Sequence, residues 1–505
     1  MRFNQSLLKN RTVVNYEGEK AYLINPEMEL YTAVATTGLS DSFYESKDGR
    51  LDRIRQLVAM NDPAFTARLA VYARQSMYLR SVPVVLAVEL ARQFPGNPLV
   101  KTSVQSVVQR ADEITEMLAY YQVANGRIGA KKLNRLSKQI QKGLAEAFNH
   151  FDAYQFAKYN RPAAVTLRDA LFLVHPKAKN AAQQVVFDQI AAQSLETPYT
   201  WETELSALGQ QPFENEFTRR AAFAQKWAEL IDSGKLGYMA LLRNLRNILE
   251  SGVEERYVVK LCEQLTNEKA VRNAKQLPFR YLSAYREMKS LNASGTRQVM
   301  QALEKAVSLT TGNIKGFGRE TSVVIACDVS GSMQQPVSKN SSVKLYDIGL
   351  MLGMLLQSRC ENVITGMFGD VWKVVNMPAK SVLQNVDAFY RREGEVGYAT
   401  NGFLVIRDLV ARRKQVDKVM MFTDCQLWNS QSHNTTMKAE WQQYKKIAPQ
   451  AQLYLFDLAG YGQAPLSINE QDVYLIAGWS DKIFDVLAAL SNGKKALEHI
   501  KAIMI

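Results

Sequence analysis

The chain has 505 residues, too many for one ordinary domain and enough for two to four. Hydrophobic residues make up 47% and charged residues 22%, with no dominant Pro-, Ser- or Gln-rich tract, so a mainly disordered or fibrous chain is excluded. Lys and Arg number 62 against 49 Asp and Glu, a net charge of +13 that speaks about partners and not about fold.

The first 50 residues, with Tyr16, Tyr22 and Tyr31 in a mixed polar context, match no clear element. From about Leu51 to Leu309 apolar residues recur at helical spacing, in segments broken by Asn, Asp, Pro or Gly. The pattern predicts helices over Asp62–Tyr78, where Asp62-Pro63 supplies a cap and a first-turn proline, over Val82–Phe94 and over Asn97–Gln109. Helix follows helix with short connections, as in a solenoid. At roughly 40–47 residues per helix pair this stretch has room for about six units of HEAT type. After Asn313–Gly318 short apolar runs begin to alternate with amphipathic segments. The runs are Thr321–Cys327, Val363–Phe368, Val416–Thr423, Ala451–Leu458 and Asp472–Ala477, and the expected helices are Lys344–Arg359, Asn401–Lys414 and Asp481–Leu490. This alternation predicts a Rossmann-like α/β domain over residues 320–505, behind a helical domain over residues 1–319.

The first strand of the α/β domain runs into Asp328-Val329-Ser330-Gly331-Ser332, the pattern D-x-S-x-S. Ligands of open α/β sheets bind beyond the carboxyl ends of the strands, where this loop falls. One carboxylate and two hydroxyls offer hard oxygen to a small divalent ion, with Mg²⁺ the expected occupant and Gly331 expected to tighten the turn. Thr400 and Asp424 stand at equivalent places on two further loops. Together Asp328, Ser330, Ser332, Thr400 and Asp424 resemble the metal-ion-dependent adhesion site of von Willebrand factor A domains. No general base sits in a motif beside this loop, and the chain has no G-x-x-x-x-G-K-[ST], so binding is the better expectation than catalysis.

The charge excess lies upstream of this domain: residues 1–320 carry 43 basic and 32 acidic side chains, residues 321–505 carry 19 and 17. The segment Arg127–Lys142 holds six positive charges and no negative one. On a helix, Lys131, Arg135, Lys138 and Lys142 form one stripe beside Lys132, with leucines and Ile140 opposite. A solvated face normally mixes signs, so phosphate is the expected counter-charge. Further on, Arg168, His175, Lys177 and Lys179 surround the end of an apolar helix, where a histidine is either a helix cap or a contact to RNA. Arg243 and Arg246 sit on the helix Met239–Leu249, with Arg280 following in Leu277–Arg280.

Met239–Leu249, Leu261–Lys269, Leu277–Arg280 and Leu167–Pro176, followed by the D-x-S-x-S domain, resemble the TROVE-domain family, the Ro autoantigen and its bacterial relatives. The resemblance covers nearly the whole chain. It implies a ring of HEAT-like repeats closed by a von Willebrand factor A domain, and RNA binding of two kinds. Small Y-like non-coding RNA would lie on the basic outer surface, and single-stranded ends of misfolded RNA would enter the ring. It further implies His175 and Lys177 as outer-surface contacts, Arg243 and Arg280 as ring contacts, and an RNA-processing enzyme as a partner. The alternative from the motifs is a protein-interaction scaffold whose metal captures an acidic residue of a partner.

Cys262, Cys327, Cys360 and Cys425 show no close pairing and read as free thiols. With no apolar leader and no stretch of roughly 18 apolar residues, the expectation is a cytoplasmic, monomeric protein without membrane contact.

Overall fold

A computed structural model describes residues 12–14, 20–23, 25–35, 49–126, 136–274, 276, 278–310, 317–336, 341–378, 381–425, 436–459, 463–464, 472–477 and 497–505. Packing divides the chain into two compact units, residues 37–214 with 497–505 and residues 1–36 with 215–496. The second begins with β1 (Thr12–Val14) paired antiparallel to β2 (Lys20–Leu23), ahead of α1 (Pro26–Ala35).

The 37–214 unit holds α2 (Gly49–Met60), α3 (Pro63–Gln75), α4 (Ser81–Gln93), α5 (Leu99–Val107), α6 (Ala111–Ala124) and α7 (Lys138–Ala147). Continuing along it are α8 (Ala153–Tyr159), α9 (Leu167–Val174), α10 (Ala181–Ala192) and α11 (Trp201–Gly209). The expected cap of α3 forms, since Phe65 N–H donates to Asp62 Oδ2 at 3.2 Å with Pro63 at the first position, while α5 starts later than expected, at Leu99, whose N–H donates to Asn97 Oδ1 at 3.0 Å. Helix α3 packs on α4 and α5, α4 on α6, and α5 on α7, the pattern of stacked pairs. Buried carboxylates fasten these pairs. Glu89 accepts from the Tyr120 hydroxyl at 2.6 Å and pairs with Arg92 at 2.7 Å, and Glu113 pairs with Arg74 at 2.8 Å. Losing one partner of such a pair leaves a buried charge alone, at a cost of about 3–5 kcal/mol.

In the other unit come α12 (Glu216–Asp232), α13 (Tyr238–Ser251), α14 (Glu255–Leu265), α15 (Glu268–Ala274), α16 (Pro278–Lys289) and α17 (Thr296–Thr310). They share it with a six-stranded sheet of order β5-β4-β3-β6-β7-β9. The strands are β3 (Ser322–Asp328), β4 (Asn362–Phe368), β5 (Trp372–Val374), β6 (Lys418–Thr423), β7 (Gln452–Asp457) and β9 (Val473–Ala477), and β8 (Gln463–Ala464) pairs instead with β2. All five strands expected from apolar runs are present and parallel to one another. The addition is β5, a three-residue antiparallel edge too short to register as an apolar run. Around the sheet lie α18 (Leu345–Arg359), α19 (Leu383–Tyr390), α20 (Phe403–Ala411) and α21 (Met437–Ile447), while the helix expected over Asp481–Leu490 lies outside the described residues.

Helices α16 and α17 dock on this α/β layer through charge. Arg286 grips the buried Asp347 carboxylate with both guanidinium nitrogens, at 2.7 and 2.6 Å. Glu304 accepts from the backbone N–H groups of Val382, Leu383 and Gln384, satisfying the exposed start of α19. In the first unit the last helix, α22 (Glu498–Lys501), packs on α3. Tyr72 and His499 meet edge to face at 4.8 Å there, and Arg68 Nε donates to the Ile503 carbonyl at 3.1 Å. Among the described residues no helix is long and apolar enough to cross a membrane.

Candidate nucleic-acid interface and cation site

The single helix expected across residues 127–142 does not form as one piece. Leu136 and Ser137 are not helical, and the Ser137 N–H donates to the Tyr121 hydroxyl at 3.2 Å instead of to a carbonyl one turn back. Ser137 occupies the N-cap position of α7, though its side chain makes no capping hydrogen bond. Lys131, Lys132 and Arg135 lie outside the described residues, so the stripe is described only from Lys138 onward. There it has the expected form, with Lys138 and Lys142 exposed one turn apart while Ile140, Gly143 and Leu144 are buried. Gly143 is required at this crossing, since a Cβ would come within 2.6 Å of the Val104 side chain on α5.

Helix α7 holds the end of α9. The Gln141 amide donates to the carbonyls of Leu173 and Val174 at 3.1 and 3.4 Å, serving the last turn of α9. His175 therefore is not the group that satisfies those carbonyls. It terminates the helix by adopting left-handed backbone, φ 50° and ψ 57°, with its N–H returned to the Leu171 carbonyl at 2.9 Å and its side chain exposed. Asn149, in the turn after α7, then clamps the chain beyond. Its Nδ2 donates to the Lys177 carbonyl at 2.9 Å, and its Oδ1 accepts from the Lys179 N–H at 2.9 Å. Lys138, Lys142, Arg168, His175 and Lys177, chosen from sequence, thus sit on two packed helices and the loop tied to them. Sequence reasoning missed Asn149 as the clamp, since its partners lie 28 and 30 residues away.

The charge state of this surface is unusual. Among the described residues none of Lys138, Lys142, Lys158, Arg161, Arg168, Lys177 and Lys179 forms an ion pair with a carboxylate. Asp169, beside Arg168, is turned into the start of α9, where it accepts from the Thr166 N–H at 3.0 Å and hydroxyl at 2.7 Å.

In the other unit Arg243 and Arg280 come together. They line a groove of about 300 Å³ between α13 and α16 with Met239, Arg246, Asn247 and Gln276. Arg243 is exposed and forms no ion pair among the described residues, whereas Arg246, one turn on, pairs with Glu250 at 2.9 Å and Glu287 at 3.4 Å. The guanidinium of Arg280 lies over the Phe279 ring at 5.7 Å.

Beyond the carboxyl ends of β3 and β6, where the strand order reverses, Asp328 and Asp424 are buried. Asp328 Oδ1 accepts from the Ser330 N–H at 2.8 Å and Oδ2 from the Thr423 hydroxyl at 2.7 Å, and the Ser330 and Ser332 hydroxyl oxygens are 3.1 Å apart. Burial, and then the charge of Asp424, push the Asp328 carboxyl above the usual carboxylate range. Thr400 is buried on a loop anchored to the end of β4, where Asn401 N–H donates to the Gly369 carbonyl at 3.1 Å. Gly397 in that loop has φ 72°, and a Cβ there would strike the Asp370 carboxylate, whose Oδ1 accepts from Ala399 N–H at 3.0 Å. Gly331 does not have the expected role: its φ is not in the left-handed region and a Cβ would meet open space, so the turn does not depend on glycine.

Asp457, at the end of β7, is a third buried carboxylate at the carboxyl ends of these strands. It acts with Asp424 and Asp328, after burial itself, to raise the Cys425 thiol well above its usual value. It could have been found as the last residue of the apolar run LYLFD, which ends as VVIACD does. Among the described residues no group of three or more His, Cys, Asp or Glu is arranged to hold a metal, so any ion here depends on the hydroxyls. The donors are hard oxygens, and a buried carboxyl whose proton affinity is raised by burial and by a neighbouring carboxylate suits a divalent cation.

A family model described as the TROVE domain matches residues 19–211 and 193–346. The RNA-binding protein RO60 of Deinococcus radiodurans is 23% identical over 528 residues, covering 96% of this chain and 96% of that protein. Telomerase protein component 1 of Mus musculus is 27% identical over 307 residues, 47% of this chain, and the chain spans only 11% of that relative's length. The crystal structure of the Deinococcus radiodurans RO (RSR) protein has the same fold, with a TM-score of 0.61 at 18% identity over 93% of this chain and 100% of that one.

Proposed function

The chain belongs to the TROVE domain family, and from that premise we propose that it is a non-catalytic RNA-binding protein for RNA quality control or processing. Structured, Y-like non-coding RNA lies along α7, α9 and the loop through Lys179, with Lys138, Lys142, Arg168, His175 and Lys177 as contacts. Lys131, Lys132 and Arg135 are further contacts of the same RNA in this proposal. Single-stranded ends of misfolded RNA use the groove of Arg243 and Arg280. The observation that carries this reading is the run of seven cations between Lys138 and Lys179 that, among the described residues, have no carboxylate partner. A solvated surface gains by mixing signs, and a polyanion supplies what this surface lacks. The Deinococcus radiodurans relative that aligns with nearly the whole chain is an RNA-binding protein, which supports the same reading.

We further propose that the α/β layer is a von Willebrand factor A-type domain. Asp328, Ser330, Ser332, Thr400 and Asp424 hold Mg²⁺, which would offer a Lewis-acidic position to an acidic residue of a partner, such as an RNA-processing enzyme. The protein works in the cytoplasm as a monomer.

The test is the affinity of the full chain for a fluorescent RNA hairpin across salt concentrations. About five engaged cations give a slope of log K against log salt of roughly −4. A slope near zero, or no binding at low salt, overturns the reading.

A further inference from the structure

Helix α9 buries Leu167, Ala170, Leu171 and Val174 and leaves Phe172 on its wet side, 54% exposed. One exposed aromatic ring is ordinary on a protein surface. This one has specific neighbours. Arg168, one turn earlier, places its guanidinium 5.8 Å from the centre of the Phe172 ring. At about 100° per residue Arg168 and Phe172 leave α9 within roughly 40° of one another, and His175, exposed at the left-handed cap, follows three residues later. The strip is held rigid from both ends. Thr166 and Asp169 close a capping box at the start of α9, and the Gln141 amide together with the left-handed turn at His175 fixes its end.

We propose that Phe172 is a stacking platform for an unpaired nucleobase, with Arg168 and His175 flanking it and Lys177 and Lys142 taking the adjoining phosphates. This rests on the RNA-binding reading of the same surface and adds what the lysines cannot provide, a preference for RNA with an unpaired base. Cations read phosphate, which every nucleotide carries, whereas a flat aromatic face reads only a base free to leave its own stack. The surroundings favour RNA over a protein segment as the occupant. The cations around the ring have no carboxylate partners among the described residues, and the one acid in the strip, Asp169, is engaged in the helix cap.

The experiment compares two fluorescent RNA hairpins, one fully paired in its stem and one with a single bulged purine, against the full-length protein and its variants. Phe172→Ala is expected to loosen the bulged hairpin roughly tenfold and the paired hairpin less than about twofold, with the salt slope unchanged. Phe172→Leu keeps the apolar volume without the aromatic face and is expected to behave like the alanine variant, while Phe172→Trp restores binding. Lys177→Gln is expected to weaken both RNAs alike and to lower the salt slope by about 1. Equal losses on the two hairpins, full retention in Phe172→Leu, or no loss in Phe172→Ala while Lys177→Gln still weakens binding, each overturns the platform and leaves the RNA reading standing. If the wild-type chain binds neither hairpin at low salt, the RNA reading itself falls.

Discussion

Cations between Lys138 and Lys179 and most cations between Glu216 and Lys289, Arg220, Arg243 and Lys269 excepted, are equally easy to see in the sequence, yet they live in opposite circumstances. In the later stretch Arg219, Lys226, Arg246, Arg256, Lys260, Arg272, Arg286 and Lys289 each have a carboxylate within ion-pair distance. Upstream, Arg55, Arg74, Arg80, Arg92, Lys101 and Arg110 are matched in the same way. Only in the stretch between do seven cations go without a carboxylate among the described residues. Net charge therefore overstates the surface available to a polyanion, and the unmatched cations locate it.

Charge reversal separates the two stretches most visibly. Lys138→Glu, Lys142→Glu and Lys177→Glu together are expected to weaken a structured RNA about a thousandfold near 0.1 M salt and to reduce the salt slope by about 3. Reversing Lys226, Arg256 and Arg272 instead is expected to change affinity less than about threefold. Lys138, Lys142 and Lys177 are exposed and give up no ion pair among the described residues, and pairs such as those of Lys226, Arg256 and Arg272 contribute only about 0.2–1 kcal/mol each, so both triple variants remain folded. Equal losses in a binding titration would mean that bulk charge, and not its pairing, recruits RNA.

A second test asks whether uncompensated charge marks a binding site when the sign is negative. Asp328 is buried near Asp424, and its raised proton affinity means that holding it ionised at neutral pH works against the fold. In chelator, Asp328→Asn is expected to keep or slightly raise Tm. In millimolar Mg²⁺ the wild-type Tm is expected to rise by a few degrees and that of the variant to stay fixed, as ligand linkage requires. A thermal melt showing the same Mg²⁺ response in both removes the cation from this loop.

Much of the architecture was legible because local chemistry sets it. Asp62-Pro63 opens α3, the alternation of apolar runs and amphipathic segments produces the parallel sheet, and D-x-S-x-S falls where a strand ends. What stayed hidden depends on distant residues. Whether an arginine is matched is decided by partners such as Glu89 for Arg55 or Glu287 for Arg246, brought in from other helices. The interruption before Lys138 depends on a hydroxyl from Tyr121, and the packing of α22 on α3 joins residues 435 apart in sequence. Periodicity could not separate these helices into packing units either. Helices α12–α17 share the texture of α2–α11 but pack with the sheet, because Arg286 and Glu304 reach groups on α18 and α19.

The smallest expected effect is the most discriminating, because it sets a matched arginine against an unmatched one inside a single groove. Arg243 and Arg246 are three residues apart on α13 and both line the groove between α13 and α16. Arg246 is committed to Glu250 and Glu287, so a phosphate arriving there must displace carboxylates already in place. Arg243 has no such commitment among the described residues, and its charge is available without that exchange. For a short single-stranded RNA, Arg243→Gln is expected to reduce affinity about three- to fivefold and to lower the salt slope by about 0.7, while Arg246→Gln leaves both within twofold. Equal losses at the two positions would show that the ion pairs of Arg246 open freely. The difference between matched and unmatched cations would then be one of geometry, with no bearing on where RNA binds.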